Sequence, residues 1–399
     1  MLASPLSTRG GPVLTVIRCG TLIDGTGRPP VPEARILVEG DRIAAVGDAA
    51  GVEAPPGAAV IDLSGSTVLP GLIDNHTHLM LGFGDDLEER YPQPELYQML
   101  KCVPHLRADI RAGITTIRNP SERSFRAAAV RHAVEQGLIP GPRILAGMRG
   151  IRATHGWGQN AFGFDGVESL RKAIRDNVEA GADLIKIYAT GENFRNTATK
   201  AYFARDEIQA CVDEAHRVGL RVAAHAHGGP GLRDCVEAGV DTIEHGARIT
   251  EADIELFLKH GTTLVATFNP YLHDSILVPG RPPEFVEGVT RAQENMRRIF
   301  PIAFRSGMKF TVGSDSRHGN FVFELETLVA LGLTPLEAIS ACTRQAAEAL
   351  GIADRTGTIE AGKWADIIAA PEDPTRDVSR LRRVHFVMKA GVRQDLSSI

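Results

Sequence analysis

The sequence predicts an α/β fold, a (β/α)8 TIM barrel joined to a small β-sandwich built from both chain ends. Three observations point there. Eight short apolar runs in the middle of the chain are each followed by a helical pattern, the rhythm of parallel strands joined by crossover helices. The segments at both ends hold short alternating runs broken by tight-turn residues and carry no such helical rhythm. The 399 residues fit one barrel of about 280 residues plus a split appendage better than three average domains.

The elements follow in order. Val13–Ile17, Arg35–Val38 and Arg42–Val46 alternate as half-buried strands do, between turns at Gly20, Gly25-Thr-Gly27, Gly40-Asp41, Gly47 and Pro55-Pro56-Gly57. The barrel strands are predicted at Val68–Asp74, Thr115–Arg118, Arg143–Ala146, Asp183–Tyr188, Arg221–His225, Asp241–His245, Thr263–Ala266 and Lys309–Asp315. Helix punctuation agrees. Thr250 with Asp253 reads as a capping box and Gly261 as the end of that helix. Thr334-Pro335-Leu-Glu337 has a cap, a proline in the first turn and an acidic first turn. Gly181, Gly219 and Gly239 close helices that begin near Gly166, Arg205 and Gly231. The tail, with Gly357-Thr-Ile, Asp366-Ile-Ile-Ala, Val384–Met388 and a Gly391 turn, is β again. The expected division is residues 1–68 and 353–399 for the sandwich and 69–352 for the barrel.

Composition narrows the function classes. Hydrophobic residues are 43% and charged residues 23%, ordinary for a globular chain, which excludes a disordered or fibrous protein. A net charge of −5 without a block of like charges gives no nucleic-acid footprint. No apolar run approaches the roughly 20 residues that cross a bilayer, and Met1–Gly10 lacks the apolar core of a secretory signal. The five cysteines are scattered and form no CxxC pair, so they read as reduced packing residues of a cytoplasmic protein. Glycine is over-represented, 41 of 399 residues, as many tight connections require.

Barrel chemistry resides at the C-terminal ends of the strands. The first predicted strand ends in Asp74-Asn-His76-Thr-His78, the fourth holds Leu184-Ile-Lys186-Ile-Tyr188, and the fifth ends in His225-Ala-His227-Gly. The sixth ends in Ile243-Glu-His245-Gly and the eighth in Val312-Gly-Ser-Asp315. His-x-His in extended chain puts two imidazoles on one face, because side chains alternate with period two. Two neutral imidazole nitrogens on one face suit a divalent metal. One such pair arises by chance in a chain with 13 histidines; two pairs, a further His and an Asp, all at strand ends, do not arise so easily. Lys186 has two readings. Burial lowers a lysine pKa, and a neutral amine can add carbon dioxide to become a bidentate carbamate. Alternatively the chain snorkels to the rim or pairs with a carboxylate.

Leu69-Pro-Gly-Leu-Ile-Asp-Asn-His76-Thr-His78, after a β-rich start, resembles the amidohydrolase superfamily. Gly357-Thr-Ile-Glu-Ala-Gly-Lys-Trp-Ala-Asp366 resembles the same superfamily's return to its small sandwich. Within it, Lys186-Ile-Tyr188-Ala-Thr-Gly, His225-Ala-His227-Gly and Ile243-Glu-His245-Gly are similar to the imidazolonepropionase-related branch. That branch holds dipeptidases of the Xaa-Pro and carboxypeptidase type and ochratoxin-type amide hydrolases. The resemblance implies a binuclear centre: His76, His78 and Asp315 on one divalent ion, His225 and His245 on the other, and carboxylated Lys186 between them. Zinc leads, with manganese, cobalt and nickel as alternatives.

The implied activity is hydrolysis of the amide bond of a dipeptide or N-acyl amino acid by a hydroxide bridging the two ions. Asp315 would act as general base and then acid, Tyr188 would hydrogen-bond the carbonyl oxygen, and His227 would contact substrate or orient a ligand. In the loop after the third strand, His155 is a candidate substrate contact, and Arg149 or Arg152 could hold a carboxylate by a bidentate fork. His318 is a further candidate. A homo-oligomer is expected from the family. Hydrolysis of a lactone or carbamate would use the same centre. A mononuclear deaminase or imidazolonepropionase-like cyclic-amide hydrolase is the other enzymatic reading, although such relatives lack the bridging lysine and commonly carry Glu where His227 stands. A scaffold that had lost its metals would lack ligands, and all six are here. Two departures from the family pattern bear on specificity: Asn119 follows Arg118 where relatives more often have aspartate, and Ala153-Thr-His155 replaces a run of glycines.

Overall fold

In the computed structural model, which describes residues 14–82, 94–158, 162–192 and 197–399, the chain begins with five strands. They are β1 (Leu14–Leu22), β2 (Val31–Pro32), β3 (Arg35–Glu39), β4 (Arg42–Gly47) and β5 (Ala59–Pro70). The reading of residues 1–10 lies outside the described residues. Nine further strands follow: β6 (Leu72–Asp74), β7 (Ile114–Asn119), β8 (Arg143–Ala146), β9 (Ile151–Arg152), β10 (Leu184–Tyr188), β11 (Arg221–Ala226), β12 (Thr242–His245), β13 (Thr263–Ala266) and β14 (Phe310–Val312). The tail adds β15 (Ile367–Ala370), β16 (Phe386–Lys389) and β17 (Val392–Arg393).

The two chain ends share one sheet of order β17-β16-β15-β5-β1-β3-β4, with β2 on the edge of β1. Strand β5 joins them: it runs parallel to β1 on one side and antiparallel to β15 on the other, with Val68 opposite Ala369. Its buried face is branched and apolar, from Ile17 and Ile36 to Val68, Ile367 and Phe386. The period-two alternation read from the sequence produces this half-buried sheet.

The middle strands are parallel and form the barrel. Strands β6, β7 and β8 pair in order, and β9 to β14 continue the series. The Asp183 N–H donates to the Ala146 carbonyl at 2.8 Å, bringing the start of β10 beside β8. Closure comes between the first and last strands, where the Asn75 N–H donates to the Val312 carbonyl at 3.2 Å and Thr77 bridges Asp315. Thr250 and Thr334 form the expected capping boxes with Asp253 and Glu337, and Gly239 and Gly261 end helices in the left-handed conformation. No helix among the described residues is long and apolar enough to cross a membrane.

The structure differs from expectation at two strands. The first predicted strand divides: Val68–Pro70 completes β5 of the end-sheet, and β6 starts only at Leu72. Gly71 is the crossing point, because a side chain there would run into Thr115. The last predicted strand shortens to Phe310–Val312, because the backbone turns to φ +65° at Asp315. Two elements had no sequence signal strong enough to read: β9, which pairs with Ile187 and Tyr188, and a 23-residue helix, Pro283–Arg305.

Candidate metal centre

Beyond β6 the chain is fixed by Asp74. Its Oδ1 accepts from the His76 and Ser314 N–H groups at 3.1 Å, and its Oδ2 accepts from the Ser314 hydroxyl at 2.5 Å. The first strand tip is thereby locked to the eighth. Burial pushes the Asp74 carboxyl up to about 7, against the hydrogen bonds from Ser314. Gly313 lies so close that a side chain there would strike the His76 backbone and Cβ. His245 and Asp315 adopt positive φ, +71° and +65°. Such conformations are sparsely populated for non-glycine residues and collect at functional sites.

His76, His78 and Asp315 converge, with one ligand atom from each lying within 4.8 Å of the others. The Asp315 carboxylate stands 3.4 Å from His78 Nε2 and 3.7 Å from His76 Nε2. His78 donates from Nδ1 to the Ser121 carbonyl at 2.9 Å, which leaves its Nε2 lone pair directed at the carboxylate side. His76 Nδ1 is hydrogen-bonded to Glu244 Oε2, so its free nitrogen is also Nε2.

His225 and His245 stand beside this group. Their ring centroids are 4.7 Å apart, and His245 is 4.9 Å from His76. His225 donates from Nε2 to the Gly191 carbonyl at 3.3 Å, and His245 Nδ1 bonds the Thr267 hydroxyl at 2.8 Å. Each ring therefore keeps one nitrogen for a ligand. Burial holds both imidazoles well below their ordinary pKa, so they are neutral, the form that binds a cation.

Lys186 completes the group. It is 1% exposed, and its Nζ has no hydrogen-bond partner among the described residues. A buried ammonium without a partner is strongly disfavoured. Burial accordingly lowers its pKa to about 8, with Glu244 opposing the shift. This nitrogen acts electrostatically on His76, His225, His245 and Asp315 and does not reach the rim. The residues present fit a two-metal centre in donor type and number.

A buried ion pair supports the centre from within the barrel. The Arg118 guanidinium donates to Glu244 Oε2 at 2.6 Å and to the Thr242 hydroxyl at 3.0 Å, and its Nε donates to the Asn75 carbonyl. Burial would raise the Glu244 carboxyl, but Arg118, Lys186 and His76 together hold it well below the usual carboxylate range. Glu244 belongs to the Ile243-Glu-His245 motif. The readable signal was a charge at the inward register of an apolar strand, two residues after Thr242.

The other sequence candidates divide. Tyr188 packs beside His225, ring centroids 5.6 Å apart, and its hydroxyl bonds Ser121 Oγ at 2.7 Å. His227 stacks on His245 at 5.2 Å, and its buried Nδ1 has no partner among the described residues. His155 is exposed and sits edge-on to Tyr202 at 5.5 Å. Both arginines of its loop engage groups of the protein itself. Arg149 lies between the rings of Phe125 and Phe164, 3.7 Å from Asp176. Arg152 donates to the carbonyls of Ala153, Thr154 and Gly156 and so braces the loop itself.

His318 is likewise structural rather than a substrate contact. Its Nδ1 bonds Asp109 at 2.8 Å, and its Nε2 bonds the His78 and Leu81 carbonyls at 3.1 and 3.2 Å. Burial would lower its pKa, but Asp109 raises it overall, as donation from both nitrogens requires. Sequence reasoning passed over Trp157, whose ring lies 4.6 Å from His225 and 5.3 Å from Tyr188. It lies in an irregular loop, where no period marks the inward face.

Residues 67–393 match the family model described as Amidohydrolase family. The ochratoxinase of Aspergillus niger is 27% identical over 404 residues, covering 92% of this chain and 82% of that one. The imidazolonepropionase of Streptomyces coelicolor is 27% identical over 367 residues, covering 84% and 85%. A solved Xaa-Pro dipeptidase with bound methionine in its active site superposes with a TM-score of 0.88 and 28% identity, covering 96% of this chain and all of that one. These are relatives of the branch that the strand-tip motifs resemble.

Proposed function

We propose, for a chain that belongs to the amidohydrolase family of C–N bond hydrolases, that it cleaves the amide bond of a dipeptide or N-acyl amino acid at a two-metal centre. The observation that carries this reading is the orphaned Lys186 Nζ, buried within the field of His76, His225, His245 and Asp315. His76, His78 and Asp315 would hold one divalent ion and His225 and His245 the other, with carboxylated Lys186 between them. Two such ions, zinc foremost, supply a water acidic enough to ionise near neutral pH and polarise the scissile carbonyl.

The chain's own groups carry the remaining work. Asp315 is the proton acceptor at the water and then the donor to the departing nitrogen. Tyr188 can receive a hydrogen bond from Ser121 and keep its own proton for the carbonyl oxygen, an oxyanion-stabilising arrangement. His227 offers a neutral, unpaired nitrogen to substrate, with burial lowering its pKa to about 3. Barrel residues 69–352 would hold all of this chemistry, and residues 1–68 with 353–399 the sandwich. A cytoplasmic homo-oligomer remains part of the proposal.

Lactone or carbamate hydrolysis at the same centre is the second reading, because nothing in the ligand set depends on a nitrogen leaving group. Lys186 weighs against a mononuclear deaminase. The test is a screen of metal-loaded protein against dipeptides, N-acyl amino acids, lactones and carbamates, with metal content measured in parallel. Turnover of N-acyl amino acids or dipeptides at close to two ions per chain is expected. Activity on lactones alone, or one ion per chain at full activity, would overturn the reading.

A further inference from the structure

A cavity of 520 Å³ opens at the end of the barrel away from the metal centre. Arg221, Thr263 and Phe310, the first residues of β11, β13 and β14, line it, with Asp241 just before β12. Catalytic groups of a barrel gather at the opposite, C-terminal ends of its strands, so the reaction uses nothing here. Gly239, Gly261 and Gly307, which follow helix ends, also line the cavity, and a Cβ at Gly239 or Gly307 would meet no atom within 4 Å. Its volume lies within the range of about 300–1,000 Å³ typical of small-molecule sites. Val240, Met308, Phe310 and Ala349 give it a buried apolar lining, interrupted only by Thr262 and Thr263.

The donors of this lining are unused. The side chains of Lys309 and His260 make no hydrogen bond or ion pair with any of the described residues. Neither does the hydroxyl of Thr263, a residue only 8% exposed. The Arg344 Nε is buried without a partner among the described residues, while the other two nitrogens of its guanidinium donate to Glu348 and Ser340. The acceptors, in contrast, are engaged. Asp241 accepts from the Val222 N–H at 2.8 Å and is paired with His216 at 2.9 Å and Arg221 at 3.2 Å. Glu348 accepts from Arg344 at 2.9 Å. Three cations, Arg221, Lys309 and Arg344, thus line the cavity against two carboxylates that already have partners. Free donors beside an apolar surface select an anion with an apolar body.

We propose that this cavity is a second ligand site, which binds a small organic anion. Lys309, Arg344 and Thr263 hold its carboxylate or phosphate, and its apolar body lies against Met308 and Phe310. The proposal is independent of the amide-hydrolase reading, because no residue of the metal centre takes part.

The test is calorimetric titration of the zinc-loaded protein with benzoate, phenyl phosphate, inorganic phosphate and benzyl alcohol. At least one aromatic anion is expected to bind with a Kd of about 1 mM or tighter, and the tighter of the two identifies the head group. Benzyl alcohol, which lacks the charge, and inorganic phosphate, which lacks the ring, should each bind roughly tenfold or more weakly. Lys309→Glu, at an exposed position, should weaken the aromatic anion by roughly tenfold or more. Thr263→Val, which removes the hydroxyl and keeps the shape, should weaken it by about fivefold. Both variants should keep the zinc content of the wild type. Absence of binding by either aromatic anion would overturn the site. So would binding that survives both substitutions, because the anion would then sit on the metal centre. Equal affinity for benzyl alcohol would overturn the anion as ligand, and equal affinity for inorganic phosphate would overturn the role of the apolar lining.

Discussion

His76 and Glu244 are joined by a hydrogen bond that crosses the barrel from the first strand tip to the sixth strand. The carboxylate fixes the imidazole tautomer, so that Nε2 faces Asp315, and raises the basicity of that nitrogen. Glu244→Gln keeps the shape but removes the charge. It should weaken metal affinity by about 10- to 100-fold, read by competition with a chelator. Because Arg118 loses its buried partner, stability should fall as well, by about 3–5 kcal/mol if the pair is broken outright. Unchanged affinity in a folded variant would remove Glu244 from the centre.

Lys186→Ala deletes the only nitrogen in the ligand set that can carry carbon dioxide. Activity should fall by about 100-fold or more, beyond the loss typical of outer-layer partners, and metal content should drop below the wild-type value. A short carboxylate such as acetate, added at high concentration, should restore part of both by occupying the vacated space. Full activity and full metal content in the variant would reject the carbamate and favour the mononuclear alternative.

The strand tips were legible because their chemistry follows a period: His76 and His78, and His225 and His227, alternate onto one face. The same rule marks Glu244 and Arg118, two inward-facing charges in buried strands. The partners of Arg149 and His318 were not legible, for another reason. Loops have no period, and the groups that engage these side chains, Asp176 and Asp109, sit on helices distant in sequence. The strand boundary at Gly71 was hidden because a continuous apolar run serves two different sheets.

Acid should destabilise the metal-free protein steeply. Burial lowers His76 to about 4 and His227 to about 3, and His225 and His245 well below their ordinary value. These groups bind fewer protons folded than unfolded, so stability is fully present above the unfolded pKa near 6.5. It falls as pH drops from there toward 4, by about 1.4 kcal/mol per pH unit for each group that titrates only in the unfolded chain. Bound metal should oppose the loss until protons displace it. Calorimetric melting from pH 8 to 4, with and without zinc, measures this. A melting temperature insensitive to pH below 6.5 would show that the histidines are not held neutral by the fold.

Gly313→Ala tests whether the glycine excess serves the centre. The new methyl would meet the backbone and Cβ of His76, atoms already fixed by Asp74 and by closure of the barrel between its first and last strands. Neither side is the end of a flexible chain, so the strand tips must separate. The first ligand group depends on that separation, since Asp315 stands only 3.4 and 3.7 Å from the two histidine nitrogens. The variant should bind about one ion or fewer per chain and lose most activity, because a misplacement near 1 Å can cost about 100-fold in rate. Its secondary structure, by circular dichroism, should stay close to wild type. Wild-type metal content and turnover in Gly313→Ala would show that the tips of the first and eighth strands tolerate a wider gap than this packing implies.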